Sequence, residues 1–174
     1  MWEIFLKTLP FFAVIGLGFW AGRTKFFTED ATAYLTKFVF YFALSAMIFR
    51  FAATLKLEEV LNWTFIAAYL AATAAVYAVA TALSMLRGVS VAEAAVEAQC
   101  AVIGNVGFLG IPMLVLLMGP EAVGPMILVL SVDLVIFGSL IVILITASQG
   151  DGLSLGVFRT VAMGLVKNPM IVSM

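Results

Sequence analysis

Five runs of apolar residues, each long enough to cross a lipid bilayer, constrain this chain more than anything else in it. They occupy residues 2–21, 31–51, 63–86, 91–118 and 125–147. A spanning helix needs about 20 mostly apolar residues, because the hydrocarbon core is about 30 Å thick and a helix rises about 1.5 Å per residue. Inside that core no water satisfies a backbone N–H or C=O, so such a run folds as a helix. The composition agrees. Apolar residues make up 64% of the 174 and charged residues 11%, against roughly 25% charged in a soluble domain. The expected fold is an all-α membrane protein, five transmembrane helices in a bundle plus the start of a sixth.

The first run lacks the basic start and small-residue cleavage site of a secretory signal, so it reads as a retained helix. Pro10 is expected to kink it, and Gly16, Gly18 and Gly22 to pack closely against a neighbour. A polar loop follows, ending in Thr28, Glu29 and Asp30, a suitable helix start. Lys56, Glu58, Glu59 and Asn62 mark the next surface crossing, Gly119-Pro120-Glu121 a tight turn, and Gln149 to Ser154 a short loop. A sixth helix is expected from Val157, interrupted by Lys167-Asn168-Pro169.

The fourth run is a poor continuous helix. Gly104, Asn105, Gly107, Gly110 and Pro112 fall near its middle. Glycine costs a helix interior about 1 kcal/mol and proline about 3. In lipid, broken backbone is tolerated only where it is buried in protein or lines a cavity. Transporters use such breaks to set half-helix ends beside a solute. If one half ends near Ile103 and the other begins near Ile111, Pro112 falls close to the first helical position, where its missing N–H costs nothing. The N–H groups there favour an anion, and the Asn105 amide both donates and accepts. The candidate substrate-binding residues are therefore Asn105, Gly104, Gly107, Gly110, Ile111 and Pro112. The competing reading is a glycine-rich packing surface with Asn105 bonded to backbone.

Asp133 lies between Val132 and Leu134 in the fifth run. A mid-membrane aspartate costs about 2.5–3.5 kcal/mol and usually faces the bundle interior, carrying protons or ions. Its alternative is a structural hydrogen bond to the break. Glu93 and Glu97 are four apart and share a face of the fourth helix. They would line an access route or hold a coupling proton or sodium ion; the commoner role of acids near a helix start is to sit solvated and favour the dipole. Tyr69, Thr73, Tyr77 and Thr81 share one face of the third helix, either as helix–helix packing or as a cavity wall. Arg50 is expected to snorkel to the interface and Cys100 to be a small packing residue.

Several classes of function fall away. There is no histidine and one cysteine, which removes Ser-His-Asp and Cys-His catalysis, histidine or multi-cysteine metal sites and an internal disulfide. A net charge of −1 offers no basic surface to nucleic acid. No catalytic constellation and no cofactor site is recognisable.

The stretch Gly104-Asn-Val-Gly-Phe-Leu-Gly-Ile-Pro112 resembles the Asn-x-Gly-Phe-Leu-Gly-x-Pro signature of the auxin efflux carrier family, whose bacterial members include malonate-transporter-like permeases. The resemblance extends to Leu9-Pro10 and Gly16-Leu17-Gly18-Phe19 in the first helix, to Leu35 through Tyr41 entering the second, and to Lys167-Asn168-Pro169. Ser45 departs from it, since members often carry proline there. The resemblance implies ten helices in two inverted five-helix repeats, with helices four and nine broken and crossing near the membrane centre. It implies a scaffold against which the other helices move, an elevator-like alternating access, and transport of a small organic anion such as a dicarboxylate. Asn105 and Pro112 match the family's crossover asparagine and proline.

On that reading residues 1–150 are the first repeat, and 151–174 are a cytoplasmic loop with the truncated start of the second. Arg23, Lys25, Arg87 and Arg159 in the loops after helices one, three and five outweigh Lys7, Arg50 and Lys56 opposite. This favours a multi-pass protein of the cytoplasmic membrane with its N-terminus outside. The expected partners are the anion, a coupling ion, membrane lipid, and a second half of the transporter or a homodimer. A fragment of a longer protein is preferred, because Met174 falls inside an apolar helix. The alternative function is a non-transporting membrane module that assembles with or regulates another subunit.

Overall fold

The structure, a computed structural model, describes residues 2–54, 61–148 and 155–174. Every regular element among them is helical. Five segments have the length and hydropathy to cross a membrane: Trp2–Arg23 (α1), Glu29–Thr54 (α2), Trp63–Leu86 (α3), Val91–Met118 and Pro120–Thr146. Within Val91–Met118 the α-helical ladder runs over Val91–Val102 (α4), stops, and resumes through a wide π turn, Val106–Gly110, into Ile111–Met118 (α5). Pro120–Thr146 is α6. Leu155–Lys167 (α7) and Pro169–Val172 (α8) follow. Lys56, Glu58, Glu59 and the loop expected at Gln149 to Ser154 lie outside the described residues.

Helix starts follow local side-chain chemistry. The backbone N–H of Ala31 donates to Thr28 Oγ1 at 3.2 Å and that of Phe65 to Asn62 Oδ1 at 3.0 Å. Ser90 and Glu93 form a reciprocal capping box at the head of α4. α6 starts earlier than the expected residue 125. Pro120 takes its first helical position, and Gly119 alone makes the reversal with φ +103°, a conformation glycine adopts without a Cβ penalty. α1 runs as one helix through Pro10.

α3 and α4 form an antiparallel hairpin packed on small side chains. Ala94, Ala95 and Ala98 are almost completely buried, which lets the backbones approach closely. The Tyr77 hydroxyl crosses this contact, donating to the Ala95 carbonyl at 3.2 Å. Tyr77, Ala98, Val132 and Phe137 make one core, joining the hairpin to α6. Leu44, Ile48, Ile111, Leu130 and Met170 make a second, joining α2, α5, α6 and α8. Two further π turns interrupt long helices, Val39–Leu44 in α2 and Asp133–Phe137 in α6.

Two expectations change. α1 has no buried residue, and a Cβ added at Gly16, Gly18 or Gly22 would meet nothing within 4 Å. Those glycines pack on nothing among the described residues. Cys100 is exposed, not a packing residue: it lies about 200° round the helix from Ala98, on the opposite side of α4. The departure at Ser45 has a structural counterpart. It ends the wide turn of α2, and its hydroxyl donates to the Phe40 carbonyl five residues back at 3.2 Å.

Candidate cleft at the interrupted fourth segment

α4 ends where the Ile103 N–H bonds the Gln99 carbonyl at 2.9 Å and Ile103 itself turns extended (φ −91°, ψ 115°). Glycine follows at 104, open on all sides, and then Asn105 at φ −81°, ψ 65°. From there the chain re-enters a helix with Asn105 as its cap. The Asn105 carbonyl accepts from Leu109 N–H at 3.2 Å and Gly110 N–H at 2.9 Å. Its side-chain oxygen accepts from Phe108 N–H at 3.2 Å. With that oxygen engaged, the amide nitrogen is the free end, and it makes no hydrogen bond to another described residue. Pro112 sits in the first turn of α5. Carbonyls at the end of α4 and N–H groups at the head of the next turn thus bring opposite partial charges to one gap.

The gap opens onto a cleft of about 820 Å³ between α1 and α5. Its walls are apolar: Pro10, Phe11, Val14 and Ile15 from one side, Phe108, Leu109 and Leu116 from the other, with Asn105 the amide among them. Such a volume suits a small molecule. Phe11, Val14, Ile15 and Leu116 are not singled out by the sequence, and Phe108 and Leu109 enter there only as letters of the motif, not as candidate site residues. Apolar residues on two helices carry no local signal that they face one space.

The remaining candidates go to different places. Gly107 is buried and turned to the core: a Cβ there would come to 3.0 Å from Met170 Cε and 3.6 Å from Leu44 Cδ2. Ile111 is fully buried in the same core. Gly110 faces its own turn, with the Asn105 carbonyl 3.6 Å from an added Cβ. None of these lines the cleft.

Asp133 is 3% exposed. Its Oδ1 accepts the Tyr69 hydroxyl at 2.7 Å, so its hydrogen bond goes to α3 and not to the break. Its Oδ2 has no partner among the described residues. Glu93 lies in the first turn of α4 and Glu97 near its middle, about 7.5 Å before the helix ends at Val102 at about 1.5 Å rise per residue. Glu93 accepts from the Ser90 N–H at 2.9 Å. Glu97 binds the Ser84 hydroxyl and the Arg87 guanidinium, the latter at 2.8 Å. Glu93 thus caps its own helix, and Glu97 fastens α4 to the end of α3.

A family model described as a membrane transport protein (Mem_trans) matches residues 3–167. A protein of Rhizobium meliloti (strain 1021) named "Putative malonate transporter" is 32% identical over 130 residues, covering 74% of this chain and 41% of that protein. The chain thus spans about two-fifths of the length of the relative it matches. No solved structure matches.

Proposed function

Because this chain belongs to the membrane transport protein family, the auxin efflux carriers, we propose that it is the front part of a secondary carrier moving a small organic anion across the cytoplasmic membrane. The observation that carries this reading is the free amide nitrogen of Asn105. It stands at an interrupted segment, on the wall of a cleft large enough for a small molecule. An anion there would take hydrogen bonds from the Asn105 amide and from the unpaired N–H groups heading the next turn. A small dicarboxylate is the first substrate to try, since the relative is named for malonate.

Residues 1–150 act as one repeat, with 151–174 leading into the next, and the N-terminus outside. The α3–α4 hairpin and α6 share a core, which supports their moving as one body. α1 touches the rest chiefly along α5, which supports a scaffold role. Movement of one body past the other would open the cleft to each side in turn, as in an elevator. A second reading, a module serving another subunit, draws on one observation: α1 has no buried residue.

The test is uptake of labelled malonate by proteoliposomes holding the native full-length protein. Asn105→Ala is expected to lower uptake tenfold or more, about 1.4 kcal/mol, at unchanged protein level. Wild-type uptake equal to that of empty vesicles, across a panel of small carboxylates, would sink the carrier reading. A stable partner subunit together with no transport by the complex would establish the second.

A further inference from the structure

Asp133 is the one buried carboxylate among the described residues. One oxygen is held by Tyr69 at 2.7 Å and the other has no donor. The elements around it supply no counter-charge. From α3 the facing titratable groups are Tyr69 itself and Tyr77, and Tyr77 is engaged with the Ala95 carbonyl. From α4 there are Glu93 and Glu97, both committed to the hairpin end, and exposed Cys100. Arg50 of α2 and Arg159 and Lys167 of α7 are exposed; α5 and α8 contain no titratable side chain. No lysine or arginine among the described residues lies within ion-pair distance of Asp133. An ionised carboxylate here has no counter-ion and only half its acceptors satisfied, which apolar surroundings penalise.

Two further features bear on what this group does. It heads the π turn Asp133–Phe137, whose carbonyl at Asp133 accepts from the Gly138 N–H five residues on; such wide turns recur at functional sites. And Tyr69 also lines an open recess of about 260 Å³ with Thr73 and Val102. Of the pair, Tyr69 is the residue that reaches this recess.

From this geometry we propose that Asp133, held by Tyr69, is a proton-binding site that couples a proton to the transport cycle. The free Oδ2 takes a proton from hydronium, whose O–H bond breaks to leave water, so that the carboxylate is discharged, and it returns the proton to water as hydronium in another state of the cycle. Tyr69 keeps Oδ1 in place throughout. A proton suits the site better than a metal cation. A hard cation takes about six oxygen ligands, and the one side chain that hydrogen-bonds Asp133 among the described residues is Tyr69. The described residues contain no group of three acids, cysteines or histidines that would hold a metal.

The coupling half of this proposal rests on the carrier reading; the proton-binding half does not, and two measurements separate them. Infrared titration of the reconstituted full-length protein reads the C=O stretch of a protonated carboxyl with no transport needed. A band that grows on acidification is expected, absent in Asp133→Asn and displaced in Tyr69→Phe, where Oδ1 loses its donor. Malonate uptake is then followed against pH. The wild type is expected to change about fivefold or more between acidic and alkaline media. Asp133→Asn should flatten the profile, and Asp133→Glu should restore it with a shifted midpoint. A wild-type band and pH profile that both survive in Asp133→Asn overturn the proposal. If Asp133→Asn fails to fold, an unshifted band in Tyr69→Phe overturns it. The expected band with no uptake by the wild type supports the proton site and removes the carrier reading instead.

Discussion

At the scale of single residues, Asn105 divides two tasks between the two ends of one amide. Its oxygen caps the turn after the break by accepting from Phe108 N–H, and its nitrogen is left for the cleft. Asn105→Asp separates the tasks. Aspartate caps about as well as asparagine, so the unfolding midpoint in detergent should stay put, with a cost within about 0.5 kcal/mol. It carries no donor, and its charge repels an anion, so malonate uptake should fall tenfold or more. Uptake retained in this variant would mean that the amide nitrogen is no ligand. Asn105 was legible in the sequence because glycines and a proline surround it in an apolar run. Asp133 was legible as a lone carboxylate in another. Its partner Tyr69 stands 64 residues away, and no local pattern pairs them. The glycines were harder to read. Glycine at 107 is a point of close approach to Leu44 and Met170, whereas glycine at 104 is open, and the sequence alone does not distinguish these two uses.

At the scale of elements, the spans and the Thr28 start were readable, whereas the caps at Asn62 and Ser90 and the wide turns were not. Apolar runs of spanning length give helices whatever their neighbours do, and Thr28, Asn62 and Ser90 mark starts through side-chain oxygens. The start of α6 was read too late because Gly119 makes the reversal alone and Pro120 already belongs to the helix. A π turn has no residue preference to set it apart from an α turn; it depends on what the helix packs against. In α2 the wide turn Val39–Leu44 carries Leu44 into the core shared with Ile111 and Met170. This has a measurable consequence at Ser45. In a regular helix, proline costs about 3 kcal/mol, largely by clashing with the carbonyl four residues back. At Ser45 the backbone N–H does not bond that carbonyl but donates to that of Phe42, three residues back. Ser45→Pro should therefore cost about 1 kcal/mol or less, read from the unfolding midpoint in detergent. A loss near 3 kcal/mol would show that α2 is regular at this point.

At the scale of the whole molecule, two cores tie α2, α3, α4, α5, α6 and α8 together while α1 stays at their edge. α1 exposes Phe12, Leu17, Phe19 and Trp20, and its glycines at 16, 18 and 22 face open space. Large side chains facing outward suit lipid as well as they suit protein, because lipid tails are as apolar as leucine. A glycine stripe does not discriminate by itself either, but it can be filled. Within the described residues a Cβ at position 18 meets nothing within 4 Å, and the position lines an open recess, so Gly18→Leu should not lower this chain's own unfolding midpoint. If further helices of the complete carrier close on α1 through that stripe, the same substitution forces them apart. Overpacking of this kind typically costs about 1–3 kcal/mol. Malonate uptake by the full-length protein should then fall several-fold, without loss of expression. Unchanged uptake would assign the stripe to lipid, and any second half of the proposed carrier would have to be sought against α2 or the outer face of α4, where Cys100 is exposed.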